Sequence, residues 1–126
     1  MGVTKTVLEQ GDGVNRPQKG DRVAIEYTGW LYQSTAPDNK GNQFDSSAGR
    51  GDLVTEIGAG RVIRGWDEGI LGPSHDPSQA MSIGEKAILE ITSDYAYGDR
   101  GFAEVIPPRS SLIFEVKLKA INGKTS

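Results

Sequence analysis

Arg61-Val62-Ile63-Arg64-Gly65-Trp66-Asp67-Glu68-Gly69-Ile70-Leu71 lies near the middle of a 126-residue chain, with the strongest strand patterns on either side of it. It reads as a turn entering one short helix. Asp67 and Glu68 fall in the first turn, where the helix dipole favours negative charge. Trp66 and Ile70 are four apart and share a face, and Ile63 precedes that face by one turn. A tryptophan so placed is either ordinary core or the flat apolar floor of a cleft. Spacing alone leaves both readings open.

Working outward, Arg22 to Thr28 alternates. Val23, Ile25 and Tyr27 point one way and Ala24, Glu26 and Thr28 the other, which is a half-buried strand that Gly29 to Leu31 can extend. Leu53 to Ile57 is a further short strand, and Val3 to Leu8 a weaker one. Downstream, Lys86 to Thr92 sets Ala87, Leu89 and Ile91 on one face. Leu112 to Ala120 is the clearest strand: Leu112, Phe114, Val116, Leu118 and Ala120 face in, with Ile113, Glu115, Lys117 and Lys119 opposite. Tyr32 to Gln43 and Gly72 to Gln79 are polar and rich in turn residues, so they read as loops. Phe44-Asp45-Ser46-Ser47 leads into a glycine-rich bend through Gly51. Ser93 to Ser110 is a long loop carrying Tyr95, Tyr97, Phe102, Val105 and Ile106, a composition poorly suited to disorder.

About five strands and one short helix lack the crossover helices of a doubly wound fold. They predict an α+β fold: a twisted antiparallel sheet of about five strands wrapped around one short helix, with residues 1–126 as a single domain. The inner faces of the 22–28 and 112–120 strands should meet Trp66. An apolar loop beside an aromatic floor suggests a binding cleft.

Composition excludes several function classes. The net charge is −3, with both signs mixed along the chain and Lys and Arg scattered singly, so no nucleic-acid patch is expected. There is neither an 18-residue apolar run nor an apolar N-terminal signal segment, which predicts a soluble, cytoplasmic protein with no membrane partner. Met1 to Thr6 fits the loose myristoylation pattern, but a plain N-terminus is the simpler reading. Absence of cysteine removes thiolate catalysis and cysteine metal sites, and the single His75 removes a histidine-rich one. No metal or cofactor is expected. Gly58-Ala59-Gly60 resembles half of a dinucleotide loop, but Ile63 stands where the third glycine belongs. Asp67 and Glu68 are adjacent, diverge on a helix and read as solvated charges rather than a paired acid and base. Ser46 and Ser47 lack a histidine base.

Six pieces occur in order: Tyr27-Thr28-Gly29 closing the 23–29 strand, Phe44-Asp45-Ser46-Ser47, Val62 to Gly69, Met81 to Glu85, Asp94-Tyr95-Ala96-Tyr97-Gly98 and Ile106-Pro107-Pro108. Together they resemble the FKBP family, the tacrolimus- and rapamycin-binding peptidyl-prolyl cis-trans isomerases, from about Val3 to Ile121. The likeness is greatest to small, single-domain cytosolic members, particularly fungal ones.

The resemblance implies a catalytic pocket walled by Tyr27, Phe44 and Phe114 with Trp66 as floor, Asp45 as the polar wall and Arg50 as its partner. It implies that Val62 and Ile63 meet the ligand through backbone, Ile63 offering an N–H, and that Tyr97 offers a hydroxyl beside Tyr95 and Ala96. Phe102, Val105 and Ile106 correspond to the overhanging loop. Leu53 stands where many members place an aromatic, and extra residues fall within about 32–42 and 72–80. The implied partners are proline-containing peptides and proteins, tacrolimus and rapamycin, then calcineurin with tacrolimus and TOR kinase with rapamycin. Two other classes remain: a scaffold of the same fold with little isomerase activity, and a small carbohydrate- or peptide-binding sheet protein, which would explain the aromatics but not six ordered motifs.

The absence of a conventional catalytic constellation fits such chemistry. An X-Pro bond favours trans only slightly yet rotates slowly, because the amide has double-bond character. A catalyst need only bind the twisted amide better than the planar one. A dry aromatic pocket suits that task, and an apolar residue before proline should be preferred.

Overall fold

The alternation in Arg22–Tyr32 makes this the strand on which the sheet is built. In a computed structural model, which describes residues 2–72, 79–102 and 105–125, it is the second of six strands. The elements are β1 (Val3–Glu9), β2 (Arg22–Tyr32), β3 (Lys40–Ser46), β4 (Leu53–Glu56), the helix α1 (Arg64–Leu71), β5 (Lys86–Ile91) and β6 (Leu112–Ile121). All pairings are antiparallel, in the order β1-β5-β6-β2-β3, with β4 also on β2. One edge of β2 pairs with β6 from Val23 to Leu31. The other edge is shared: β4 covers Arg22 to Ile25 and β3 covers Thr28 to Tyr32. The 47–52 bend leaves the sheet between them and carries Arg50. Among the described residues no helix is long and apolar enough to cross a membrane.

The expected sheet of about five strands therefore has six, and the difference is Lys40–Ser46. Lys40-Gly41-Asn42-Gln43 shows no apolar alternation and reads as loop. It is an edge strand whose pairing with β2, rather than its side-chain pattern, makes it extended. The loop shrinks to the residues before it, with a 3-10 turn at Pro37–Asn39. Ala120 is the second difference. Ala24 pairs with Ala120 but Ile25 pairs with Leu118, so β6 bulges at Lys119. The bulge shifts the phase: Ala120 is only half-buried and Ile121 turns into the core. Ile113, on the outward phase, is also buried, between the cross-strand neighbours Trp30 and Glu90. The Gly72–Gln79 excursion lies mostly outside the described residues.

The helix α1 closes the concave side. Six of its eight residues are buried, Trp66, Ile70 and Leu71 among them. Gly65 and Gly69, one turn apart, face β5. A Cβ on Gly65 would lie 2.5 Å from Ile91 Cγ2, and one on Gly69 would lie 2.7 Å from Leu89 Cδ1. Each glycine costs about 1 kcal/mol in helix propensity. Burying Ile70 and Leu71 returns roughly 1.5–3 kcal/mol each, so close approach to the sheet wins over helix preference.

Candidate functional site

Trp66 reaches the inner face of the sheet from the first turn of α1 and is buried. Tyr27 meets it edge-on, with ring centroids 5.0 Å apart at 74°, and Phe114 does so at 5.2 Å and 86°. Phe114 meets Phe44 at 5.5 Å and 86°. Edge-to-face contacts of this kind hold each ring in one orientation. Gly29, the cross-strand partner of Phe114, makes the junction possible: a Cβ there would lie 2.6 Å from Phe114 Cε1 and 2.8 Å from Phe44 Cζ.

A cavity of about 250 Å³ opens at this cluster. The sheet supplies Tyr27, Phe44, Asp45, Leu53, Thr55 and Phe114; the approach to the helix supplies Arg61, Val62 and Ile63; the 93–110 segment supplies Tyr97. Trp66 completes the lining.

One wall is polar and fully bonded. Tyr27 Oη donates to Asp45 Oδ2 at 2.9 Å, and Arg50 Nη2 donates to Asp45 Oδ1 at 2.6 Å and to Tyr27 Oη at 3.1 Å. The Ser46 N–H also donates to Asp45 Oδ1, at 2.8 Å. The Asp45 charge is thus offset where it meets the cavity. Burial first, then the Asp45 carboxylate, pushes the Tyr27 phenol above its ordinary range, and the same two causes raise Tyr97.

Several donors beside the cavity have no partner among the described residues, the buried Trp66 Nε1–H included. Neither the Ile63 N–H nor the Tyr97 hydroxyl has a hydrogen-bond partner among the described residues. Ile63 is the N-cap of α1, extended at φ −60° and ψ 149°, and its carbonyl accepts from the Trp66 and Asp67 N–H groups. The approach loop is fastened by Asp67, whose Oδ1 accepts from the Gly58 N–H at 2.8 Å and whose Oδ2 accepts from the Gly60 N–H at 3.3 Å. Asp67 is 8% exposed and Glu68 is half-buried, so the adjacent pair is not the two solvated charges expected from the sequence. Glu68 pairs with Arg64, whose guanidinium also lies 4.1 Å from the Tyr95 ring.

Of the residues singled out in the sequence, Tyr27, Phe44, Asp45, Leu53, Val62, Ile63, Trp66, Tyr97 and Phe114 border one cavity. Arg50 stands behind this lining, exposed, and acts on it through Asp45 and Tyr27. Ala96 packs against the core. Phe102 lies outside the lining, tilted 39° on Tyr97 at 5.2 Å, and is exposed like Val105. Ile106 is buried, and its N–H donates to the Phe102 carbonyl, so it anchors the overhanging loop rather than lining the cavity. Thr55 and Arg61 line the cavity unforeseen. The alternation of β4 could have flagged Thr55, two residues after Leu53. Arg61 directly precedes Val62 and Ile63 but carries no apolar signal.

The profile of FKBP-type peptidyl-prolyl cis-trans isomerases matches residues 13–119. The chain is 54% identical over 121 residues to FK506-binding protein 1B of Neurospora crassa, covering 96% of this chain and 99% of that one. It is 49% identical over 125 residues to a peptidyl-prolyl cis-trans isomerase of Schizosaccharomyces pombe, covering 98% of each. The crystal structure of AtFKBP13 superposes with a TM-score of 0.78 at 35% identity, over 97% of this chain and 92% of that one. With its antiparallel sheet, its short helix and its aromatic cavity, the chain belongs to the FKBP-type peptidyl-prolyl cis-trans isomerases and resembles their small fungal members at about half of all positions.

Proposed function

We propose that the cavity over Trp66 is where this isomerase turns the X-Pro bond. The supporting observation is the buried Trp66 floor held edge-on by Tyr27 and Phe114. A prolyl ring packs on that floor, with the preceding residue against Phe44, Leu53 and Phe114. Ile63 N–H and Tyr97 Oη, both without protein partners among the described residues, donate to substrate carbonyls. As the amide twists it loses conjugation and much of its carbonyl dipole, so a dry aromatic surface favours the twisted form over the planar one. In this scheme Tyr27, Phe44, Asp45, Trp66, Tyr97 and Phe114 shape the transition state by contact. No acid, base or nucleophile is used.

The same cavity is the proposed receptor site for tacrolimus and rapamycin, in line with the FK506-binding name of several relatives. Val62 and Ile63 then offer backbone, and Ala96, Phe102, Val105 and Ile106 support the loop that overhangs the drug. Calcineurin with tacrolimus and TOR kinase with rapamycin are the proposed partners of those complexes, and the cytoplasm the proposed compartment. Chain 1–126 is proposed to act as one domain. Protease-coupled isomerisation of a Leu-Pro peptide tests the reading: turnover should stop when tacrolimus saturates the protein. Uninhibited turnover at micromolar drug would place catalysis elsewhere.

A further inference from the structure

The charges around the cavity are unequally compensated. Arg50 is held by Asp45 and Tyr27, and Arg64 is paired with Glu68 and stacked on Tyr95. The Asp67 oxygens are taken by backbone N–H groups of the approach loop. Arg61 differs from all of these. It lines the cavity, it is exposed, and no carboxylate lies within 4.0 Å of it among the described residues. A full positive charge therefore stands at the cavity mouth with no carboxylate partner among the described residues.

Its place in the chain says which part of a substrate it would meet. Arg61 is two residues before Ile63, on the segment that runs away from the start of α1. If Ile63 N–H holds the carbonyl of the proline itself, the substrate chain leaving that proline passes beside residues 61–63. In the binding mode proposed above, the residue before proline packs instead against Phe44, Leu53 and Phe114. We propose that Arg61 is a specificity-determining residue that makes this isomerase favour X-Pro segments with an acidic side chain one or two residues after the proline. The inference rests on the assignment of the cavity as the isomerase site.

The sign is distinctive. The whole chain carries −3, so its overall field disfavours acidic peptides. A preference for them must come from a local cation. An exposed ion pair is worth a factor of about 1.4 to 5, and a lysine in the same place is repelled rather than attracted. The glutamate-to-lysine ratio of kcat/KM should then be about two- to twenty-five-fold at low salt. It should fall toward one as the Debye length shortens at about 0.5 M salt.

The test uses three peptides that differ only after the proline: Leu-Pro-Glu, Leu-Pro-Gln and Leu-Pro-Lys. Catalysed cis–trans exchange is followed by NMR, which needs no coupling protease. The full chain should rank glutamate above glutamine above lysine. Arg61→Glu should reverse the ranking and Arg61→Gln should flatten it, each judged against the glutamine peptide in the same variant. Moving the glutamate to the N-terminal side of the leucine should remove its advantage. An unranked unmodified protein, or a ranking that survives Arg61→Glu, overturns the proposal. If tacrolimus fails to block exchange of the glutamine peptide, the cavity assignment itself has failed, whatever the ranking. Salt dependence is read on the unmodified chain, so a ranking that does not shrink toward one at about 0.5 M salt overturns the proposal even where a variant fails to fold.

Discussion

Two tyrosines face one cavity under opposite constraints. Tyr27 sits on β2, edge-on to Trp66, with its hydroxyl donated to Asp45 and held by Arg50. Tyr97 sits on the 93–110 segment, tilted against Phe102, with a hydroxyl that meets no partner among the described residues. The sheet wall is thus completed by the protein, and the loop wall keeps a hydroxyl unpartnered among the described residues, which the proposed function assigns to a ligand. A bound donor shapes a surface; an unbound donor selects what sits on it. The asymmetry predicts that changes to the sheet wall act first on stability and changes to the loop wall first on ligand.

The harshest way to break the comparison is to remove the floor that both walls share. Trp66→Ala should cost about 3–5 kcal/mol of unfolding free energy by urea titration, because a large buried ring leaves a cavity. A loss under about 1 kcal/mol would mean that the floor carries little of the core. Gly29→Ala tests the sheet wall alone. Its added carbon would collide with both Phe114 and Phe44, so overpacking should cost about 1–3 kcal/mol and loosen peptide binding with it. A silent Gly29→Ala would show that the two rings are not fixed where they meet.

Tyr97→Phe should leave stability nearly unchanged and weaken tacrolimus by about 0.5–1.5 kcal/mol, the worth of one neutral hydrogen bond. That is roughly two- to twelve-fold in dissociation constant, measurable by calorimetry. The smallest effect is alkaline. Both phenols are raised by burial and by Asp45. Below the ordinary phenol value of about 10 both the folded and unfolded chains keep these protons, so stability should be flat on this account. As pH rises past that value the unfolded chain releases protons first, the folded chain binds more, and stability falls. The urea midpoint should decline above about pH 10, and decline less in Tyr97→Phe.

Legibility in the sequence followed burial. Strands with one buried face, β2, β5 and most of β6, show period-two alternation, and the Trp66–Ile70 face of α1 shows in spacing. The edge strand β3 did not, since its extended form comes from β2 and its polar residues record nothing of that pairing. The phase of β6 failed at Ala120 because a bulge leaves no trace in hydrophobicity. Within the site, the aromatic positions were legible through ordered motifs. Asp67 was not: adjacent acids on a helix read as solvent-facing, and only the folded loop shows Gly58 and Gly60 donating to one of them. Arg61 is silent in the sequence for a related reason, since a lone arginine looks the same whether or not a carboxylate waits for it.

The central claim is that the pocket turns the prolyl bond by shape and dryness, with Tyr97 holding a carbonyl and transferring no proton. Isomerase kcat/KM of the folded Tyr97→Phe variant tests it most directly. This account predicts a decline of a few fold at most, alongside the modest loss in drug affinity. A thousand-fold drop with the fold intact would make the hydroxyl a proton donor in the reaction and contradict it.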